Sequence, residues 1–372
     1  MLTLMHKFSV FSLIIVGLLM PVAFSADWPQ WRGPTLNGIS TAKNMPGDIS
    51  SPDSIQWSLD LPGDSSATPI VVGNRVFVVS NGPEAHKLYA FCADLDSGKE
   101  LWRKQLDEAP DPLPRNTMSS CSPVADRERV YFLFGTGLLT ALDFDGNEVW
   151  SRSIGDQSEI ALQFGYSSSP LLLDGRLYLQ ILRSQWRSDT PFDQYSDKDS
   201  FLLCLDAMTG ETVYKEHRKS DAQGESHDSY TTPMPYIQDG KTAIVLQGGD
   251  CTTGHDAATG KELWRFIDNP KKQTHWRLIP TPVIMDELVF NSQPRGGLAY
   301  AFNPNDTTQK DVDSAEWVYN ERATDVPTPA YYKGKLYMLN GVQKTLTCFE
   351  PKTGEVLWIG ELPDYRRFWS SP

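Results

Sequence analysis

Thr328-Pro329-Ala330-Tyr331-Tyr332-Lys333-Gly334-Lys335-Leu336-Tyr337-Met338-Leu339-Asn340, followed by Leu346-Thr347-Cys348-Phe349-Glu350-Pro351-Lys352-Thr353-Gly354-Glu355-Val356-Leu357-Trp358, holds four short apolar runs separated by turn residues. Runs of this length, rich in β-branched and aromatic side chains and broken at Gly334 and Gly354, read as a four-stranded antiparallel meander. Proline at the head of the first strand is tolerated because its missing N–H costs no ladder bond there. The turn before the last strand, Glu350-Pro351-Lys352-Thr353-Gly354, places Pro early and Gly late, the chemistry of a tight hairpin that needs φ > 0 at its end.

The same unit recurs along the chain. Its openings are Thr68-Pro69, Ser122-Pro123, Ser169-Pro170, Thr232-Pro233, Thr281-Pro282, Thr328-Pro329 and Ser371-Pro372. Its closings are Gly98 to Trp102, Gly146 to Trp150, Gly210 to Tyr214, Gly260 to Trp264 and Gly354 to Trp358, with Trp317 ending the one unit that lacks the Gly. A repeat of about 50 residues means a propeller or a solenoid. No segment of helical period competes, and a β-sandwich does not repeat one turn and one Trp in every unit. The expected fold is therefore all-β: a β-propeller of four-stranded antiparallel blades, with six blades evident and a seventh begun. Ile55-Gln56-Trp57-Ser58-Leu59-Asp60-Leu61 reads as an outer strand with no strands ahead of it, a device that completes the last blade of a ring and hides its edge. On that reading the ring is a shortened seven- or eight-bladed one, lacking roughly 30 or roughly 80 residues at this repeat length. A six-bladed ring with a loose tail is the alternative.

The pattern Asp-x-x-(Ser/Thr)-Gly-(Lys/Glu)-x-x-(Trp/Tyr), carried by Asp94 to Trp102, Asp206 to Tyr214 and Asp256 to Trp264, resembles the repeat of pyrroloquinoline-quinone (PQQ)-type β-propellers, the family of quinoprotein dehydrogenases and BamB-like barrel-assembly proteins. The resemblance spans nearly all of the chain after the leader. It implies that Trp57, Trp102, Trp150, Trp264, Trp317 and Trp358 dock on the turn of a neighbouring blade, with Tyr214 a weaker substitute.

Residues 1–25 combine Lys7, an apolar run from Phe8 to Met20 and small residues before Ala26, the composition of a cleavable export signal cut near Ser25-Ala26. Residues 26–54, with Trp28-Pro29-Gln30-Trp31-Arg32-Gly33-Pro34, are expected to cap the propeller of residues 55–372. The expected location is periplasmic or secreted, with no membrane span and, since no Cys follows the apolar run, no lipid anchor. A net charge of −13 argues against nucleic acid as a partner. Cys92, Cys204 and Cys348 share one register on the third strand of three blades and read as small core residues rather than disulfides; Cys121 and Cys251 are the remaining pair.

Function is sought in the loops that depart from the repeat. The insertion from Leu182 to Ser200 carries Arg183, Trp186, Arg187, Tyr195 and four Asp; the fourth unit opens with Glu225-Ser226-His227-Asp228-Ser229-Tyr230, the fifth with His275-Trp276-Arg277, and its next loop holds Arg295. Arg183, Trp186, His227, Asp228, His255, His275, Trp276, Arg277 and Arg295 are the candidate ligand or partner face, since Trp and Arg dominate binding hot spots. A metal site from His227, Asp228, His255 and His275 requires them to converge, which nothing in their spacing demands. No catalytic residue is assigned. The chain has no vicinal Cys pair, no haem-attachment motif and no nucleophile elbow. The expectation is an exported, non-catalytic scaffold that binds a protein or glycan partner and needs no cofactor. The alternative is a PQQ- and Ca²⁺-dependent alcohol or sugar dehydrogenase.

Overall fold

The computed structural model is described over residues 27–43, 45–48, 51–83, 86–109, 116–155, 160, 162–182, 200–238, 240–321, 323–363 and 369–371. The leader, Pro372 and the insertion that carries Arg183 and Trp186 lie outside them. The described chain forms six sheets of four strands, each an antiparallel meander in sequence order. Blade 1 runs Ile70–Val72, Arg75–Asn81, Lys87–Asp94, Glu100–Glu108, and blade 6 runs Ala330–Tyr332, Lys335–Asn340, Thr345–Phe349, Val356–Glu361. Blades 2 to 5 lie between, opening at Val124, Leu171, Met234 and Val283. The architecture is a β-propeller. Among the described residues no helix is long and apolar enough to cross a membrane.

Ser or Thr stands before every opening proline because its hydroxyl joins one blade to another. The N–H of Thr68 donates to Ser122 Oγ (2.9 Å), Ser122 to Ser169 (2.9 Å), Ser169 to Thr232 (3.4 Å), Thr232 to Thr281 (3.0 Å), Thr281 to Thr328 (3.0 Å) and Thr328 to Ser371 (2.9 Å). The proline that follows holds each donor in the extended region, where its N–H faces the next blade.

A second set of links runs around the rim. Indole N–H groups of Trp57, Trp102, Trp150 and Trp317 donate to the turn carbonyls of Leu95, Phe144, Ala207 and Pro351 at 2.7 to 3.0 Å. Tyr214 reaches Ala257 O at 3.1 Å through its hydroxyl. The turn glycines are needed twice over. Gly98 has φ +69, and a Cβ there would lie 2.4 Å from Trp57; at Gly354 (φ +70) it would lie 2.5 Å from Trp317. Opposite the aromatic, on the third strand of each blade, stands a small residue: Cys92, Ala141, Cys204, Gly254, Ala301 and Cys348. All five cysteines are buried and free, Cys121 and Cys251 among them.

Trp264 departs from the rule. Blade 5 has Asn303-Pro304-Asn305-Asp306 where the others carry an Asp- or Glu-to-Gly turn, and the buried Trp264 Nε1 has no hydrogen-bond partner. Its indole still meets Phe302 of blade 5 edge-on, ring centres 5.8 Å apart, and crosses its own blade at Gly254, where a Cβ would be 2.2 Å away. At the other end of the series Trp358 is 45% exposed, and no turn covers it among the described residues.

Candidate functional site

Because each blade is an up-and-down meander, the blade-to-blade linkers and the loops between second and third strands share one face, and the Asp-to-Gly turns share the other. On the linker face the structure brings together His227, Asp228, His275, Trp276, Arg277 and Arg295, around a residue the sequence did not single out, Glu225.

Glu225 lies in a short buried 3₁₀ turn, Gly224–His227, in the linker between blades 3 and 4. That linker is zipped to the next one: Leu278 N donates to Asp228 O (3.3 Å), Tyr230 N to Leu278 O (2.8 Å) and Trp276 N to Ser226 Oγ (3.1 Å). The zipper fixes His275-Trp276-Arg277 beside Glu225. Arg277 Nη1 lies 3.4 Å from Glu225 Oε1, Arg295 Nη2 3.0 Å and His275 Nδ1 3.6 Å from Oε2. Arg295 occupies a left-handed conformation, φ 60, in the turn Pro294–Gly296. Its N–H donates to Asp325 Oδ1 (2.6 Å) and its Nε to His275 O (3.0 Å), so both ends of the residue are held.

A further linker, between blades 2 and 3, closes the patch from the side. Gln163 N donates to Asp228 Oδ2 (3.0 Å), Phe164 N to Tyr230 Oη (3.2 Å), and the Arg277 guanidinium lies 5.7 Å from the Phe164 ring centre. The Glu225 side chain is 7% exposed and Arg277 18%, whereas Arg295 is 52% and His275 64%. The buried Glu225 carboxylate is thus shared by two guanidiniums, each a charge-assisted hydrogen bond. Solvent meets the outer edge of Arg295 and the His275 ring, with Asp325 bonded to the Arg295 N–H beside them.

His255 is elsewhere. It sits on the third strand of blade 4, buried, with Nδ1 2.8 Å from Gly260 O and Nε2 3.0 Å from Thr253 Oγ1. Burial lowers its pKa to about 4. It therefore supports the blade 4 turn and does not join His227, Asp228 and His275. Among the described residues no three His, Cys, Asp or Glu side chains converge as the donors of a metal ion would.

Glu225 was within reach of the sequence, in the quoted opening of the fourth unit, but a lone Glu carries no signal of its own. Only the meeting of three linkers makes it the centre of a patch.

Hydroxyl-linked blades with rim aromatics docked on neighbouring turns define a repeat-built β-propeller with charged loops on its linker face. The chain belongs to the family described as outer membrane protein assembly factor BamB, whose model matches residues 49–186 and 195–358. It is 26% identical over 212 residues to a polyvinylalcohol dehydrogenase from Pseudomonas sp., a match covering 54% of this chain and 31% of that protein. The chain thus spans about a third of that curated relative. Among solved structures it resembles BamB from Moraxella catarrhalis (19% identity, 77% of this chain and 72% of that one, TM-score 0.50). A europium-containing methanol dehydrogenase also matches (12% identity, 82% and 72%, TM-score 0.55). At these identities the structural likeness concerns the fold.

Proposed function

We propose that this propeller is a non-catalytic scaffold working outside the cytoplasm, binding a protein or glycan partner through its linker face. The observation that carries the reading is the pairing of Glu225. Its buried carboxylate is bonded by the chain's own Arg277 and Arg295, which fixes both arginines on the linker face. Rigid arginines next to aromatic side chains suit recognition, because little side-chain freedom remains to be lost on binding.

The competing reading is a quinone-dependent dehydrogenase, favoured by the sequence likeness to polyvinylalcohol dehydrogenase. A titration with pyrroloquinoline quinone and Ca²⁺, followed by absorbance and by a dye-linked assay on alcohols and aldoses, separates the two. The scaffold reading expects neither saturable quinone binding nor turnover; micromolar binding with turnover overturns it. In the same preparation, partner capture should fall at least tenfold in Arg295→Ala, a half-exposed position, while the melting temperature stays within a few degrees. Capture that is indifferent to Arg295 and Arg277 would remove the linker face from the proposal.

A further inference from the structure

The innermost strand of each blade pairs on one side only, so its other edge turns backbone groups toward the channel. Residues 28–38, which lie ahead of the family match, meet those edges in blade order. Trp28 N donates to Val71 O (2.7 Å) and Val71 N to Trp28 O (2.9 Å) in blade 1; Ala125 N donates to Pro29 O (2.8 Å) in blade 2; Leu172 N donates to Gln30 Oε1 (3.2 Å) in blade 3. Val71, Ala125 and Leu172 occupy one register, the third residue after the Ser or Thr of the blade opening. In blade 4 that register holds Pro235, which has no N–H to satisfy. Trp31 and Leu36 join the apolar cluster that contains Met234, Tyr236 and Ile284.

On the far side Arg32 donates from Nη1 to Thr328 O (3.0 Å) and from Nη2 to Pro329 O (2.7 Å) in blade 6, and Nη2 also reaches Asn37 O (2.7 Å). Arg32 is 6% exposed, and its guanidinium bonds carbonyls rather than a carboxylate. The segment is wound for this: Arg32, Gly33, Leu36 and Gly38 have φ 60, 77, 57 and 77, and the Trp28 ring closes on Gly33 where a Cβ would be 2.8 Å away.

We propose that the channel is a peptide-binding site, occupied in cis by residues 28–38, which clasp blades 1, 2, 3 and 6 across the axis. The ligand it takes is a short peptide whose main chain pairs with the edges of blades 1 and 2, with an amide side chain for the Leu172 N–H of blade 3 and an Arg for the carbonyls of blade 6. A second consequence is that access to the channel is left to the linker face, since Asp27 Oδ1 anchors the segment at Gly73 N, in the first turn of blade 1 on the opposite face.

The test keeps the full chain and cuts it. A specific protease site placed in the exposed stretch between Ser40 and Asp48 is cleaved under native conditions, and retention of the released piece is followed through successive gel filtrations by mass spectrometry. The expected result is retention in the parent and at least tenfold faster loss in Arg32→Ala. Where Arg32→Ala fails to fold, Ala125→Pro carries the test: it gives blade 2 the residue that blade 4 already has in this register and removes only the bond to Pro29. A synthetic peptide of residues 27–39 should displace the cut segment. Immediate loss of the piece from the parent, or equal retention in both variants, overturns the proposal.

Discussion

At the scale of single residues, His255 and Asp268 hold opposite protons in one blade. Asp268 is fully buried, accepts from Tyr300 Oη (2.6 Å) and Thr252 Oγ1 (2.8 Å), and burial raises its pKa to about 6 from 3.8. His255 is lowered to about 4 from 6.5. A carboxyl raised on folding adds stability as pH falls, because the folded state takes up the proton first; a histidine lowered on folding loses stability over the same fall, because the unfolded state does. The two windows, between about pH 6 and 4 and between about pH 6.5 and 4, nearly coincide, and the contributions oppose. His255→Gln removes one of them. Urea unfolding of parent and variant across pH 7 to 4 should give a stability difference that moves in the variant's favour by about 3 kcal/mol on acidification. A pH-independent difference would mean that His255 is not held neutral. In the sequence His255 was counted with the candidate ligand or partner face. The structure gives it to the turn instead, since a buried imidazole bonding Gly260 O does locally what an apolar side chain does elsewhere by packing.

At the scale of elements, the repeat was legible where partners lie close in sequence and illegible where they lie a blade away. The meander, the turn and its glycine follow from runs and turn chemistry inside one unit. The hydroxyl before each proline is equally regular, yet its role stayed hidden, because Ser122 Oγ answers an N–H in another blade at Thr68. The rim aromatics lie between these cases: a repeated Trp announces a repeated contact, but not which contacts are complete. Trp102 bonds Phe144 O at 2.9 Å and packs against Phe77 and Phe132, whereas Trp358 is 45% exposed and its ring meets Tyr337 of its own blade. Trp102→Ala therefore removes a docked ring together with its hydrogen bond, a loss of about 3 to 5 kcal/mol, while Trp358→Ala should cost about 1 kcal/mol or less. Chemical denaturation of the two variants side by side checks this. Equal losses would mean that Trp358 is covered in solution by something the described residues do not include.

At the scale of the whole molecule, the question is whether the hydroxyl links make one cooperative ring or a series of separate joints. Each link spans one blade boundary and shares no atom with the next, and each blade has its own sheet. Repeat proteins built in this way behave as sums of units and nearest-neighbour interfaces. Ser169→Ala leaves the Ser122 N–H without its acceptor, and Thr328→Val does the same to Thr281 N–H on the far side of the channel. Both donor residues are buried, so each substitution should cost about 1 to 3 kcal/mol. If the joints are separate, the double variant loses the sum to within about 0.5 kcal/mol. Residues 28–38 are what couples the two sites, for Gln30 bonds Leu172 in blade 3 while Arg32 bonds Thr328 and Pro329 in blade 6, and one short segment thereby ties the two substituted openings together. A double-mutant cycle measured in the intact chain and again after cleavage between Ser40 and Asp48 and removal of the released piece separates the two sources of coupling. Coupling that disappears with the piece belongs to the clasp, and coupling that persists without it belongs to the ring of hydroxyls and rules out separate joints.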